Sequence, residues 1–134
     1  YASLEKNGDG FKIIVSSYQD EQRKRFAIAQ ELGHLFLHMG YKTNAEIWEK
    51  QADKVPFQEK DPEKVRQANE FAAALLMPRY IFFLTLEAAS DIAESGKRTI
   101  HMQAVADFFN VSLSAAYTRA KILGLSERAY YEMS

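Results

Sequence analysis

The feature that most constrains this chain is the stretch of residues 26–39, FAIAQELGHLFLHM. It has no proline, its only glycine is Gly33, and it is apolar on nearly every side. The polar residues that interrupt it are Gln30, Glu31, His34 and His38, which fall within an arc of roughly 100° on an α-helix. Because a helix that is apolar on so many sides is normally buried, we expect its polar stripe to face a cleft, a partner side chain or a metal.

The stripe has the spacing Q-E-x-x-H, which differs by one residue from the zinc motif H-E-x-x-H. In that motif two histidines hold the zinc ion, and the glutamate is the general base for the zinc-bound water. Gln30 stands at the position of the first histidine, and an amide is a poor ligand beside imidazole and carboxylate. From the helix alone, a satisfied, partly buried polar network is the better interpretation of this stripe.

Composition restricts the classes of function. A chain of 134 residues with 47% hydrophobic residues predicts one domain, residues 1–134, with a buried core. A net charge of −1 and a pI of about 6.4 argue against a general nucleic-acid or membrane-surface binder. The absence of cysteine excludes disulfides and thiolate metal sites, and we expect a cytoplasmic location.

The sequence contains no apolar run of about 18 residues, the length of a membrane-spanning helix, so no membrane association is expected. The chain opens with Tyr1 rather than methionine, and we expect it to be part of a longer protein.

The N-terminal third predicts a turn, a strand and a helix. Residues 7–10, Asn-Gly-Asp-Gly, predict a turn, and the β-branched residues 11–16 predict a strand. Asp20 predicts the N-cap of a helix that runs to about Met39 and is ended by Gly40.

A long polar connection follows, from residue 41 to residue 61. It predicts a short helical piece at residues 45–52, anchored by Trp48 and broken before or at Pro56. Long connections in compact domains are often functional or mobile, so both a flap beside a site and a solvated surface segment remain open.

Asp61, Pro62 and Glu63 predict the start of a second helix, residues 62–77. Its predicted core stripe consists of Val65, Ala68, Ala72, Leu75 and Leu76. Glu63, Gln67 and Glu70 are spaced to lie on one face, and the small residues 72–74 predict a close helix approach at Gly33.

Three more helices are predicted in the C-terminal half. They cover residues 80–94 with Gly96 at the end, residues 101–109 ended by Asn110, and residues 113–123, capped by Ser112 and stopped by Gly124. The whole predicts an α+β fold in which a short β-sheet precedes a buried motif helix and a helical C-terminal half. Its predicted parts are residues 1–40 with the motif helix, the loop 41–61, residues 62–96 with the second motif helix, and a helical hairpin over 97–134.

Two sequence blocks in this order, RFAIAQELGHLFLH and QANEFAAALLMP, resemble the ImmA/IrrE family of metallopeptidase-like proteins. The family's first block usually reads R-F-x-x-A-H-E-L-G-H-x-x-x-H, and its second reads E-A-N-x-F-A-A-x-L-L-M-P. The residues F-x-V-S at 109–112 and G-L at 124–125 also fit, so the resemblance covers residues 11–125.

The resemblance implies a small zincin-like fold and a zinc-dependent endopeptidase that cleaves helix-turn-helix repressors of mobile elements or stress responses. By position, Glu31 matches the general base and His34 matches the second zinc ligand. Gln30 stands where the first ligand belongs, and Gln67 stands where the acidic third ligand is expected. Zinc is therefore expected to be weak or absent in this chain.

Other ligand sets remain open. Glu63 or Glu70, each about one helical turn from Gln67, would supply the missing carboxylate. A shifted site would combine His34 and His38, which are themselves an i, i+4 pair, with one of these two glutamates.

Three functions follow from this reasoning. The first is a zinc endopeptidase with a working or weakened site; the second, which we favour, is a metal-free relative that binds a protein partner. The third is a DNA-binding regulator, because residues 102–123 resemble a helix-turn-helix. Its basic residues are Lys97, Arg98, Arg119, Lys121 and Arg128, against Asp107 and Glu127. We prefer for this segment a helical hairpin that packs through Val105, Phe108, Phe109, Val111 and Leu113, so nucleic-acid binding is not expected.

Overall fold

The computed structural model describes residues 2–125 and 131–133, and the chain divides into two compact units, Tyr1–Leu75 and Leu76–Ser134. A short antiparallel sheet at the N-terminus is followed mostly by helices, which confirms the predicted mixed α+β class. Within the described residues no single helix meets the length and hydropathy of a membrane span, although the bent pair Pro62–Leu76 and Arg79–Ala88 meets them jointly.

The first unit begins with a β-hairpin. Strand β1, Ala2–Asn7, pairs antiparallel with β2, Gly10–Val15, across the turn that the sequence predicted. Strand β1 was not predicted, since its residues are mostly polar. It is nevertheless the central strand of the order β2-β1-β3, and it buries Leu4 completely.

Helix α1, Glu21–Leu37, follows the hairpin. The predicted N-cap is confirmed, because the Asp20 carboxylate accepts a hydrogen bond from the Arg23 backbone N–H at 2.8 Å. The helix ends two residues earlier than Met39, with His38 as its C-cap. Ile28 is exposed rather than buried, so the apolar surface of α1 covers less of its circumference than the sequence predicted.

The core of this unit joins the sheet to the end of α1. Leu4, Leu35 and Met39 are fully buried in one cluster. Partly buried side chains surround it: Ile13, Leu32, Phe36, Tyr41, Trp48 and Phe57. Burial of this cluster therefore holds the C-terminal half of α1 against the sheet.

The connection after α1 contains helix α2, Ala45–Lys50, and strand β3, Pro56–Phe57. Strand β3 pairs with β1, so Pro56 begins a short edge strand. The Lys54 backbone N–H donates to the Lys6 carbonyl at 2.7 Å, and the Lys6 ammonium donates to the Trp48 carbonyl at 3.1 Å. The connection is thus attached to the sheet at several points along its length.

Helix α3, Pro62–Leu76, starts where the sequence predicted. Its buried face is narrower than predicted: Ala68, Ala72 and Ala73 are buried, while Val65 is 38% and Leu75 is 50% exposed. The prediction of Val65 and Leu75 as core residues was therefore wrong, because α3 buries its small residues rather than its larger ones.

The second unit contains α4, Arg79–Ala88, followed by strands β4, Ser90–Ile92, and β5, Arg98–Ile100. The prediction that a helix continues to residue 94 was wrong, because Ser90 to Ile92 pair antiparallel with β5. Gly96, with φ +86°, lies in the turn between these strands.

Helices α5, Met102–Phe109, and α6, Leu113–Ile122, follow, and β6, Tyr131–Met133, pairs parallel with β5. The predicted caps are confirmed: Asn110 adopts the left-handed conformation, and the Ser112 hydroxyl accepts from the Ala115 N–H at 3.1 Å. Val105, Phe109 and Val111 are buried as predicted, but Phe108 and Leu113 are exposed. Glu127 and Arg128 lie outside the described residues.

We predict that Gly40→Ala destabilises the protein more than Gly8→Ala does. Both glycines have positive φ, which costs an L-residue about 1–2 kcal/mol. A Cβ at Gly40 would also lie 2.6 Å from the Asn44 carbonyl oxygen, whereas a Cβ at Gly8 would meet nothing within 4 Å. In chemical denaturation, the free energy of unfolding should therefore fall by about 1–3 kcal/mol more for Gly40→Ala than for Gly8→Ala. Equal losses would mean that the backbone conformation alone matters.

Candidate metal centre

The geometry of the candidate site depends on a close approach of α1 and α3 at Gly33. A Cβ built on Gly33 would lie 3.1 Å from the Ala68 Cα and 3.1 Å from the Phe71 Cβ. The predicted close approach at Gly33 is confirmed, but α3 meets it at Ala68, about one turn before residues 72–74. This approach brings the polar stripe of α1 beside Gln67 and Asn69.

Gln30, at the first ligand position, is bonded to α3. Its side-chain amide nitrogen Nε2 donates a hydrogen bond to the Asn69 amide oxygen Oδ1 at 2.5 Å. The sequence reasoning did not single out Asn69, although it lies inside the QANEF block. One hydrogen bond therefore links the two amides across the two helices.

His34, His38 and Gln67 form a continuous hydrogen-bonded chain, which we call the histidine relay. The Nδ1 atoms of His34 and His38 lie 2.8 Å apart, and the Nε2 of His38 lies 2.9 Å from Oε1, the side-chain amide oxygen of Gln67. That oxygen only accepts, so His38 carries its proton on Nε2 and, when neutral, accepts at Nδ1. His34 must then donate from Nδ1, which leaves its Nε2 as the nitrogen with the lone pair.

Two residues of the connection 41–61 lie near His34. The ring of Phe57, in β3, lies 5.7 Å from the His34 ring, measured between centroids. Burial lowers the pKa of His34 below its ordinary value of 6.5, the neighbouring His38 lowers it further, and Glu59 opposes both. Phe57 and Glu59 are site residues that the sequence reasoning missed, because only β1–β3 pairing brings them to α1.

Glu31, which the resemblance predicted as the general base, is half-buried, and this burial raises the pKa of its carboxyl group above 4.5. Within residues 2–125, no side chain or backbone group forms a hydrogen bond or an ion pair with this carboxylate. It is thus the one polar group of the α1 stripe that has no partner in the described part of the chain.

Glu63 and Glu70 are engaged elsewhere. Both carboxylates form ion pairs with Arg66, on an exposed part of α3. The Arg66 guanidinium holds the pKa of Glu63 below its ordinary value. The three residues predicted on one face of α3 therefore have different partners. Gln67 contacts His38, whereas Glu63 and Glu70 contact Arg66.

A comparison with protein families identifies the chain. The model of the IrrE N-terminal-like domain, Peptidase_M78, matches residues 6–121, which is most of the chain. The protein therefore belongs to the ImmA/IrrE family and is a metallopeptidase-family protein, as the two motif blocks predicted. No curated protein matches the chain.

The family implies zinc, and the side chains can be examined for a ligand set. Across the described ranges 2–125 and 131–133, no three histidine, aspartate or glutamate side chains form a group that could hold a metal ion. The hydrogen-bonded side chains at the α1–α3 contact are instead two histidines and three amides, and two of the amides stand at expected ligand positions.

We predict that Gly33→Ala destabilises the protein by about 1 kcal/mol. Overpacking a close contact costs about 1–3 kcal/mol, and the gain in helix propensity from glycine to alanine returns about 1 kcal/mol. Ala74→Gly, at an exposed position of α3, is the control that measures the propensity alone. Chemical denaturation of both variants gives the difference, and a stabilised Gly33→Ala protein would contradict the close approach.

We predict opposite pH dependences for His34 and Glu31. Because the pKa of His34 is lowered on folding, the unfolded chain binds more protons below about pH 6.5, so this group destabilises the fold as the pH falls through 6.5. Because the pKa of Glu31 is raised, the folded chain binds more protons just above pH 4.5, so this group stabilises the fold as the pH falls towards 4.5.

The measurement is the free energy of unfolding from pH 4 to 8 for the wild type, His34→Leu and Glu31→Gln. Each group contributes a slope of at most about 1.4 kcal/mol per pH unit. Glu31→Gln should be more stable than the wild type at pH 7, whereas Glu49→Gln, at an exposed position, should change nothing. Identical pH profiles for all proteins would refute the assignment.

Proposed function

We propose that this protein is a member of the metallopeptidase family with a degraded zinc site, and that it binds a protein partner at the surface around Glu31 and His34 rather than cutting it. The observation that carries the proposal is the engagement of both amides at ligand positions. Gln30 is bonded to Asn69 and Gln67 is bonded to His38, so each has a hydrogen-bond partner without a metal.

The energy of zinc binding supports this reading. A structural zinc site supplies about 10–16 kcal/mol, so one of four ligands is worth roughly 3–4 kcal/mol, a factor of a hundred or more in affinity. Amides at two of the three expected ligand positions leave His34 as the remaining ligand there, whereas a catalytic zinc site has three protein ligands drawn from Cys, His and carboxylate. Zinc, when bound, lowers the pKa of water to about 7, and Glu31 alone does not replace that effect.

The alternative ligand sets gain little support. A shifted site needs a carboxylate from Glu63 or Glu70, and both are paired with Arg66. His38 would also have to exchange its bond with Gln67 for the metal. An active or weakly active peptidase remains the alternative function, and it requires zinc that these side chains hold poorly.

The proposed partner is a helix-turn-helix repressor, by analogy with the substrates of the family. Direct DNA binding through α5 and α6 is not favoured. Arg119 is buried and its Nε donates to the Met77 carbonyl at 3.0 Å, while Arg98 is paired with Glu87. Two of the basic residues of that segment therefore serve contacts within the second unit.

The decisive experiment is elemental analysis of purified protein. We predict substoichiometric zinc in the wild type, more zinc in Gln30→His, and the most in the double variant Gln30→His/Gln67→Glu. Each restored ligand should increase zinc affinity by a hundredfold or more. Gln103→His, at an exposed position in the second unit, is the matched control and should bind no additional zinc. Full zinc occupancy in the wild type would defeat the proposal.

A further inference from the structure

The histidine relay determines what kind of group His34 can bind. Since His38 donates to Gln67 and accepts from His34, the free nitrogen of His34, Nε2, is a hydrogen-bond acceptor. No donor within residues 2–125 is bonded to this nitrogen. A ligand that meets His34 must therefore bring a donor.

Glu31 is a second acceptor on the same side of α1. It precedes His34 by three residues, so the two side chains are neighbours on the helix surface. A half-buried carboxylate loses part of its hydration, and such groups are normally compensated by a hydrogen bond or an opposite charge. Glu31 has neither in the described part of the chain, so a ligand that carries a donor would satisfy both residues.

A second carboxylate adds negative charge near His34. Glu59 acts electrostatically on His34, and its carboxylate accepts a hydrogen bond from the nearby Asp61 backbone N–H, at 3.1 Å. The cations of α1 and α3 with known ion pairs are committed elsewhere: Arg23 to Asp20, Lys24 to Glu21, and Arg66 to Glu63 and Glu70. Glu31 and Glu59 are thus without an ion pair among the described residues.

We infer that His34 and Glu31 bind a lysine or arginine side chain of the partner protein, whose N–H groups are accepted by His34 Nε2 and the Glu31 carboxylate. This inference rests on the proposed function, because it places an organic cation where the family holds a metal. A cation is favoured over a neutral donor because charge-assisted hydrogen bonds to a carboxylate are about twice as strong as neutral ones. The Phe57 ring beside His34 offers an apolar surface to the aliphatic stem of such a side chain.

The inference is tested with three short peptides that are identical except for a central lysine, arginine or norleucine. Each is titrated into metal-free protein at pH 7.5, and the histidine side-chain nitrogen resonances are followed by NMR. We expect the lysine and arginine peptides to shift the His34 Nε2 resonance and the norleucine peptide to leave it unchanged. Equal shifts with all three peptides, or none with any, would overturn the inference.

Glu31→Gln should weaken binding of the cationic peptides by at least about tenfold, which corresponds to about 1.4 kcal/mol, and Glu49→Gln should leave it unchanged. Binding should also weaken with added salt. If Glu31→Gln binds as tightly as the wild type, the inference is wrong.

The relay itself has a spectroscopic signature. In the wild type the nitrogen shifts should show His34 protonated on Nδ1 alone, and Gln67→Leu should give a mixture of tautomers and weaker peptide binding. A wild-type His34 protonated on Nε2 would refute the inference. Zinc content measured on the same samples separates the two proposals: stoichiometric zinc defeats the proposed function, whereas metal-free protein without preference for cations defeats only this inference.

Discussion

The candidate site depends on the contact between two helices at a residue that has no side chain. Gly33 lets the backbone of α3 approach within van der Waals distance at Ala68. A larger residue at either position would separate the helices, and the hydrogen bonds from Gln30 to Asn69 and from His38 to Gln67 would lengthen beyond their useful range. The two hydrogen bonds that cross between α1 and α3 therefore depend on a steric condition met by two small residues.

Polar groups in such a contact must be satisfied, and this protein satisfies them in pairs. An unpaired, buried polar group costs about 1–3 kcal/mol, so an amide is tolerated in such a contact where it finds a partner. Asn69 is the partner of Gln30, and His38 is the partner of Gln67. Glu31 differs from these residues, because its carboxylate has no partner in the described ranges.

The features predicted correctly from the sequence are those that depend on interactions between residues close together in the chain. The N-caps at Asp20 and Ser112 and the left-handed Asn110 were predicted correctly because each depends on bonds within a few residues. Strand β1 and the β4–β5 pair were missed, since polar strands become visible only through pairing. Leu75 and Phe108 were predicted as buried, but both are exposed. The prediction failed because an apolar side chain is buried only where a neighbouring element covers it.

The sequence by itself determined the family, through two motif blocks whose order and spacing are specific, and it located Gln30, Glu31 and His34 on one helix face. Only the tertiary structure showed which contacts the remaining candidate residues make. It joined His38 to Gln67, committed Glu63 and Glu70 to Arg66, and brought Phe57 and Glu59 to His34. The reason is physical: helical spacing places residues on a face, but the packing of other elements selects which of them meet.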